Sequence, residues 1–293
     1  MSTAPTRWTS YGKAMLATLF WGCSFIAIRY ALDAASPFGI VWTRNALAAI
    51  FLFGILRLRG EALLPDRADR GRVVLLGLLF GAHLLVQALA IERTSTIRAG
   101  WIIAFIPAVV AVGAWLFQRQ RLRVIGWLGI GIASAGVFVL TATRPAQFAD
   151  AGTGDLLMFA TTFSWAAYTL LSVAPARRSG GLRISASVLL VSVVPNLLMA
   201  LYTGSWHAAP DTPSTLALLF LGLGASGIAM WVYTDAVAEL GPERSAAFQY
   251  LQPMVTMVAA YLLLSEPITT DQLIGGPIVL AGVWLVQRGK KGA

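Results

Sequence analysis

The chain has 293 residues, 57% of them hydrophobic and only 12% charged, against roughly 25% charged in a typical soluble domain. That excess of apolar sequence excludes an ordinary soluble core, and the net charge of +9 does not mark a nucleic-acid binder, because the basic residues cluster between apolar runs. Cys23 is the only cysteine, which excludes an intrachain disulfide and a cysteine metal cluster.

A helix needs about 20 apolar residues to cross the hydrocarbon core. Ten runs are expected to do so: 14–32, 38–56, 73–91, 99–117, 124–141, 156–174, 184–203, 216–233, 245–264 and 272–287. Punctuation falls between them, in "DAASP", "GEALLPDRADRG", "RRSGG", "APDTPS", "ELGPE" and "SEPITTD". The first run follows Arg7 and Lys13 and precedes small residues at 34–36, so it could be read as a signal peptide. It is long for one, and its removal would leave the first half a helix short.

Ten runs form two copies of five. Adding 146 maps Gly81 to Gly227, Arg98 to Arg244, Pro107 to Pro253, Gly129 to Gly275 and Gly136 to Gly282 without a gap. Trp21 falls near Trp165 at an offset of 144. An odd number of spans per copy means that the second copy enters the bilayer inverted. The expected fold is therefore an all-α integral membrane protein, ten transmembrane helices as two inverted five-helix repeats. Residues 1–13 form a cytoplasmic N-terminus, 14–147 the first repeat, 148–287 the second and 288–293 a basic cytoplasmic tail. Secondary transporters use this arrangement to expose one central site to each side in turn.

Orientation follows the distribution of Lys and Arg. With the N-terminus inside, 17 of the 22 basic residues fall in inner segments; Arg93, Arg98 and Arg144 are outside, and Arg29 and Arg44 lie within spans. Both termini are expected to be cytoplasmic, and the compact loops fit a bacterial inner membrane.

Polar residues at mid-span are costly and usually face a cavity or the bundle interior. His83 and Gln87 lie one turn apart on one helical face. They could hydrogen-bond a polar solute, with His83 able to sense a proton, or simply hold helices together. Trp21, Trp165, Tyr168 and Phe248 offer apolar area and ring faces to a solute; Trp101, close to a loop, could line a cavity or anchor the span. Pro107 and Pro253 each remove a backbone hydrogen bond inside a span and mark either a paired hinge or two static kinks. Gln249 and Gln252 flank the second proline. Arg44 could bind a substrate carboxylate, although pairing with carbonyls or Asp33 is the expected role. No Asp or Glu falls mid-span, which argues against organic cations as cargo and for neutral or zwitterionic solutes.

The chain resembles the drug/metabolite transporter superfamily, EamA type. The likeness runs from residue 14 to 287 and is clearest in "ALAIERTSTIRAGWIIAFIPAVVAVGAWLFQRQRLRVIGWLGIGIASAGVFVL" and its second-half counterpart "AVAELGPERSAAFQYLQPMVTMVAAYLLLSEPITTDQLIGGPIVLAGVWLV". Pro253, Glu266 and Gly275, Gly276 and Gly282 match the family's mid-helix proline, closing acid and glycine-rich last helix, and "WTRNALAA" around Arg44 matches its second-helix arginine. Arg119 and Gln120 depart from the acid expected in the first copy. The resemblance implies an alternating-access exporter, nearest the aromatic and neutral amino-acid exporters (YddG-like). It works as a monomer in lipid on a small-molecule solute, with no cofactor, metal or nucleic acid. A rival is an intramembrane serine protease, since "GASG" at 224–227 places Ser226 in a GxSG pattern; its candidate bases are His83 and His207. A receptor or assembly subunit is the third reading.

Overall fold

The computed structural model describes residues 7–119, 123–142, 151–205 and 208–288. All regular structure among them is helical. In the first half the elements are α1 (Arg7–Ala31), α2 (Pro37–Leu58), α3 (Arg70–Arg93), α4 (Thr96–Ile103), α5 (Ile106–Gln118) and α6 (Val124–Ala142). In the second they are α7 (Ala151–Ser179), α8 (Gly181–Thr203), α9 (Thr212–Leu219), α10 (Ala229–Leu240), α11 (Pro242–Ala247), α12 (Leu251–Leu264) and α13 (Thr270–Arg288). A π-helical segment, Phe220–Ile228, joins α9 to α10, and a 3-10 turn, Phe248–Tyr250, joins α11 to α12.

Among the described residues, eight helical stretches are long and apolar enough to cross a membrane. The fifth and tenth expected spans are shorter: their apolar parts are Val124–Leu140 and Thr270–Val286, and α6 and α13 have 19 residues each. At 1.5 Å per residue such a helix is about 28 Å long, close to the thickness of the hydrocarbon core. The fourth and ninth spans are not continuous helices. Each breaks just before its proline, α4 from α5 ahead of Pro107 and α11 from α12 ahead of Pro253. Proline contributes no N–H and crowds the preceding turn, so the helix restarts with the proline in its first turn.

The short helices α6 and α13 reveal how the halves are related. A Cβ on Gly129 would lie 2.5 Å from the Gly282 carbonyl oxygen, and one on Gly136 would lie 2.9 Å from that of Gly275. Residue numbers rise on one helix as they fall on the other, so the two run antiparallel. The two contacts also exchange under the shift of 146. Only a two-fold axis across the helices does this, and it inverts the second bundle. The end of each restarted helix repeats too: Arg119 follows α5 and Ser265 follows α12, 146 residues apart, both left-handed with φ of 55° and 53°. Lipid offers no hydrophobic drive between helices, so close backbone contact through glycine supplies the dispersion energy that holds α6 to α13.

Arg98 is not in an outer loop as expected. It lies inside α4, only 1% exposed. Ser95 caps this helix by accepting a hydrogen bond from the Arg98 backbone N–H at 3.2 Å.

Candidate functional site

A cavity with about 430 Å³ of empty space, its mouth included, lies where the halves meet. Trp21 from α1 and Trp165 from α7 face each other across the axis, ring centroids 4.9 Å apart and nearly perpendicular. The Trp21 indole N–H donates to the Ala225 carbonyl at 3.0 Å, an acceptor presented by the π-helical segment. Around the pair, His83 and Gln87 contribute from α3, Arg44 from α2, and Gln249 and Gln252 from the two sides of the α11–α12 break. Ile103 and Ile106 border the cavity from the α4–α5 break. Both interrupted helices thus turn their breaks toward the same space.

Seven of the residues singled out from the sequence meet here: Trp21, Arg44, His83, Gln87, Trp165, Gln249 and Gln252. Three aromatics do not line the cavity. Tyr168 stands behind Trp165 in a stacked pair at 5.3 Å. Trp101 is buried against α13, its ring filling the space a Cβ on Gly276 would need. Phe248 meets Tyr11, 5.8 Å away. Pro107 and Pro253 sit beside the breaks rather than in the lining.

Two kinds of residue escaped the sequence reading. Ile103 and Ile106 stand 146 positions before Gln249 and Gln252, so the repeat itself could have named them. Tyr233, the counterpart of Gln87, packs edge-on to Trp21 at 4.8 Å and accepts from the Gln249 amide at 3.2 Å. Phe25 and Phe80 also line the cavity, and carried no signal beyond their apolar character.

The polar groups are held differently. His83 Nδ1 lies 2.8 Å from Ser164 Oγ, which also reaches the Thr161 carbonyl. The Ser164 hydroxyl hydrogen serves either the Thr161 carbonyl or His83, and the His83 tautomer sets which. Arg44, expected to pair with carbonyls or Asp33, instead donates from Nε to Ser226 Oγ at 2.8 Å. The serine of the GxSG pattern thus faces a guanidinium, which offers no lone pair to take its proton. His83 bonds Ser164 instead, and His207 lies outside the described residues.

Beyond the cavity, the end of the bundle that carries α4 is tied down. Arg98 is bonded to Asp155 of α7 and, at 3.2 Å, to Asp271 of α13. Thr94 Oγ1 also donates to Asp155 at 2.7 Å. Glu266 accepts the Thr96 and Ile97 backbone N–H groups at 3.1 and 3.2 Å, placing a negative charge on the positive end of the α4 dipole. Every residue of α4 is buried, whereas in its counterpart α11 only Ser245 and Ala246 are. The acids have no equivalents. The positions matching Glu266 and Asp271 at an offset of 146 are Gln120 and Ile125, and the one matching Asp155 at 144 is Tyr11.

The model of the EamA-like transporter family matches this chain twice, over residues 8–142 and 152–288. An uncharacterized transporter of Archaeoglobus fulgidus is 27% identical over 92% of this chain and 94% of its own. The uncharacterized inner membrane transporter YedA of Escherichia coli K12 is 23% identical, over 96% of this chain and 91% of its own. YyaM, an uncharacterized transporter of Bacillus subtilis, is 22% identical over 91% and 89%. One solved crystal structure superposes with a TM-score of 0.71 at 17% identity, covering 96% of each chain, and so shares the fold. With one family match to each half and helices built to cross a bilayer, the chain belongs to the EamA-like transporter family and is a multi-pass membrane protein.

Proposed function

We propose that this transporter moves small neutral or zwitterionic metabolites, amino acids with aromatic side chains among them, by exposing the central cavity to each side of the membrane in turn. The observation that carries this reading is the position of the cavity: it straddles the two-fold axis, between the two broken helices, where the two halves can rock about a fixed site. Aromatic faces and amide groups meet there, and among the described residues no Asp or Glu does. A cation would find no counter-charge.

The unequal packing of α4 and α11 supports alternation. Two helices with the same place in their repeats hold two different environments in one molecule, one sealed by ion pairs and one half-exposed. Exchange of those environments is the conformational step, and Pro107 and Pro253 are its hinges. With the N-terminus on the cytoplasmic side of an inner membrane, the sealed end faces outward and the protein exports its cargo as a monomer. His83, already bonded through Ser164, orients a solute, and movement follows the solute gradient.

The test is uptake into liposomes containing the purified protein, with neutral, aromatic, basic and acidic amino acids and an organic cation. It is run with and without a pH gradient. Flux of neutral and aromatic amino acids in both conditions is expected. Movement of the organic cation alone, or flux that persists only with a proton gradient after His83→Gln, overturns the proposal.

A further inference from the structure

Among the described residues two arginines are deeply buried, and they are treated differently. Arg98 is 1% exposed and meets two carboxylates. Arg44 is 2% exposed and takes part in none of the ion pairs among the described residues. Its Nε is satisfied by Ser226, but its Nη1 is buried without an acceptor. A guanidinium out of water is costly unless it is paired and hydrogen-bonded. The chain demonstrates at Arg98 that it supplies acids where an arginine is structural.

The local structure holds Arg44 in place. Gly222 in the π-helical segment lets α2 come close: a Cβ there would lie 2.7 Å from the Leu47 Cβ and 3.4 Å from the Arg44 carbonyl oxygen. Four residues on, Ser226 takes the Nε bond. Backbone and guanidinium are thus both positioned by one segment. The side chain borders the cavity beside Trp21, Trp165 and Gln249. The Gln249 amide oxygen is likewise buried and lacks a donor.

We infer that Arg44 is the anchor for a carboxylate of the cargo. This rests on reading the cavity as the transport site and sharpens it: the solute must bear a carboxylate. A guanidinium N–H to carboxylate bond is charge-assisted and stronger than a neutral one, and a partly buried pair is screened much less than an exposed one. Gln249 then accepts from the ammonium of a zwitterion, and the indoles cover the side chain. An amide of the same skeleton offers Nη1 only a neutral carbonyl in place of a charged acceptor, and an amine leaves it unpaired, the circumstance in which a polar site discriminates most strongly.

The experiment measures equilibrium binding to the purified protein in lipid nanodiscs. Phenylalanine is compared with phenylalaninamide, phenethylamine and 3-phenylpropionate, and leucine with its own amide and amine. Chloride and inorganic phosphate serve as anion controls. The acids should bind at least tenfold more tightly than their amides, and the amines should not bind. Arg44→Gln should abolish that preference and Arg44→Lys should keep part of it, each variant first shown to elute and melt as a folded protein. Equal binding of amide and acid by the native protein overturns the anchor, with no variant needed. So does a folded Arg44→Gln that still prefers acids, a response to chloride or phosphate as large as that to the acids, or a protein that binds neither acid. The transport reading stands or falls separately, on flux of the broader solute panel into liposomes.

Discussion

Gln87 and Gln252 are the residues whose loss should speak most directly of cargo. Both are amides bordering the cavity, and one hydrogen bond to a solute is worth about 1 kcal/mol net. Gln87→Leu keeps volume and removes the bond, so its transport rate should fall about five- to tenfold while its melting temperature holds. An unchanged flux would remove Gln87 from the site. Trp101 and Trp165 separate packing from binding. Both are buried, but only Trp165 borders the cavity. Trp165→Phe should alter which solutes compete for uptake, and Trp101→Phe should lower thermal stability with the selectivity intact. Competition profiles for the two variants that coincide would mean that the two indoles do the same job.

At the scale of elements, glycine placement decides how α6 meets α13. Gly282 and Gly129 press against each other's backbone, whereas Gly131 on the same helix as Gly129 has nothing within 4 Å. Overpacking typically costs 1–3 kcal/mol. Gly129→Val should therefore lower the melting temperature clearly and Gly131→Ala should not; equal melting of both would show that the pair is not a packed seam. The tie at the α4 end makes a second prediction. Hydrogen bonds to a charged group contribute roughly 1.5–3 kcal/mol each, and Glu266 holds two of them on the α4 N-terminus. Glu266→Gln should shift the molecule toward opening at that end. A cysteine placed at Ile103, in a Cys23→Ser background, should then react faster with a membrane-impermeant maleimide added from the α4 side. Unchanged or slower labelling would mean that Glu266 only stabilises the helix.

For the whole molecule, the two-fold relation and the ten helices together require both tails to emerge on one side. Protease-sensitive tags at the two ends should be cut from the same face of oriented vesicles, the cytoplasmic one. Cleavage from opposite faces would be incompatible with ten crossings. The acids of the α4 end break the symmetry of the device. Gln120, Ile125 and Tyr11 stand where Glu266, Asp271 and Asp155 would have counterparts, so these contacts have no symmetric copy at the other end, where Lys13 instead meets Asp235 and Glu239. Solute binding acts on the balance between the two ends, and a ligand shifts a conformational equilibrium only by its differential affinity for the two states.

Much of this was legible in the chain before any coordinates. Runs of about twenty apolar residues can bury their backbone groups in lipid only as helices, and two copies of five spans, matched without a gap from the third to the fifth at an offset of 146, force an inverted pair. The repeat even carried the lining residues Ile103 and Ile106, by their match to Gln249 and Gln252. The tertiary structure alone decided three matters. It put Arg98 in the interior rather than in a loop, because its partners Asp155 and Asp271 come from other helices. It turned Trp101 toward Gly276 and away from the cavity, since two buried indoles look alike until their neighbours are known. And it gave Arg44 the Ser226 hydroxyl where carbonyls or Asp33 were expected. Helix periodicity and hydropathy are properties of neighbouring residues and survive in the sequence; which buried charge meets which partner depends on helices far apart in the chain, and only their packing settles it.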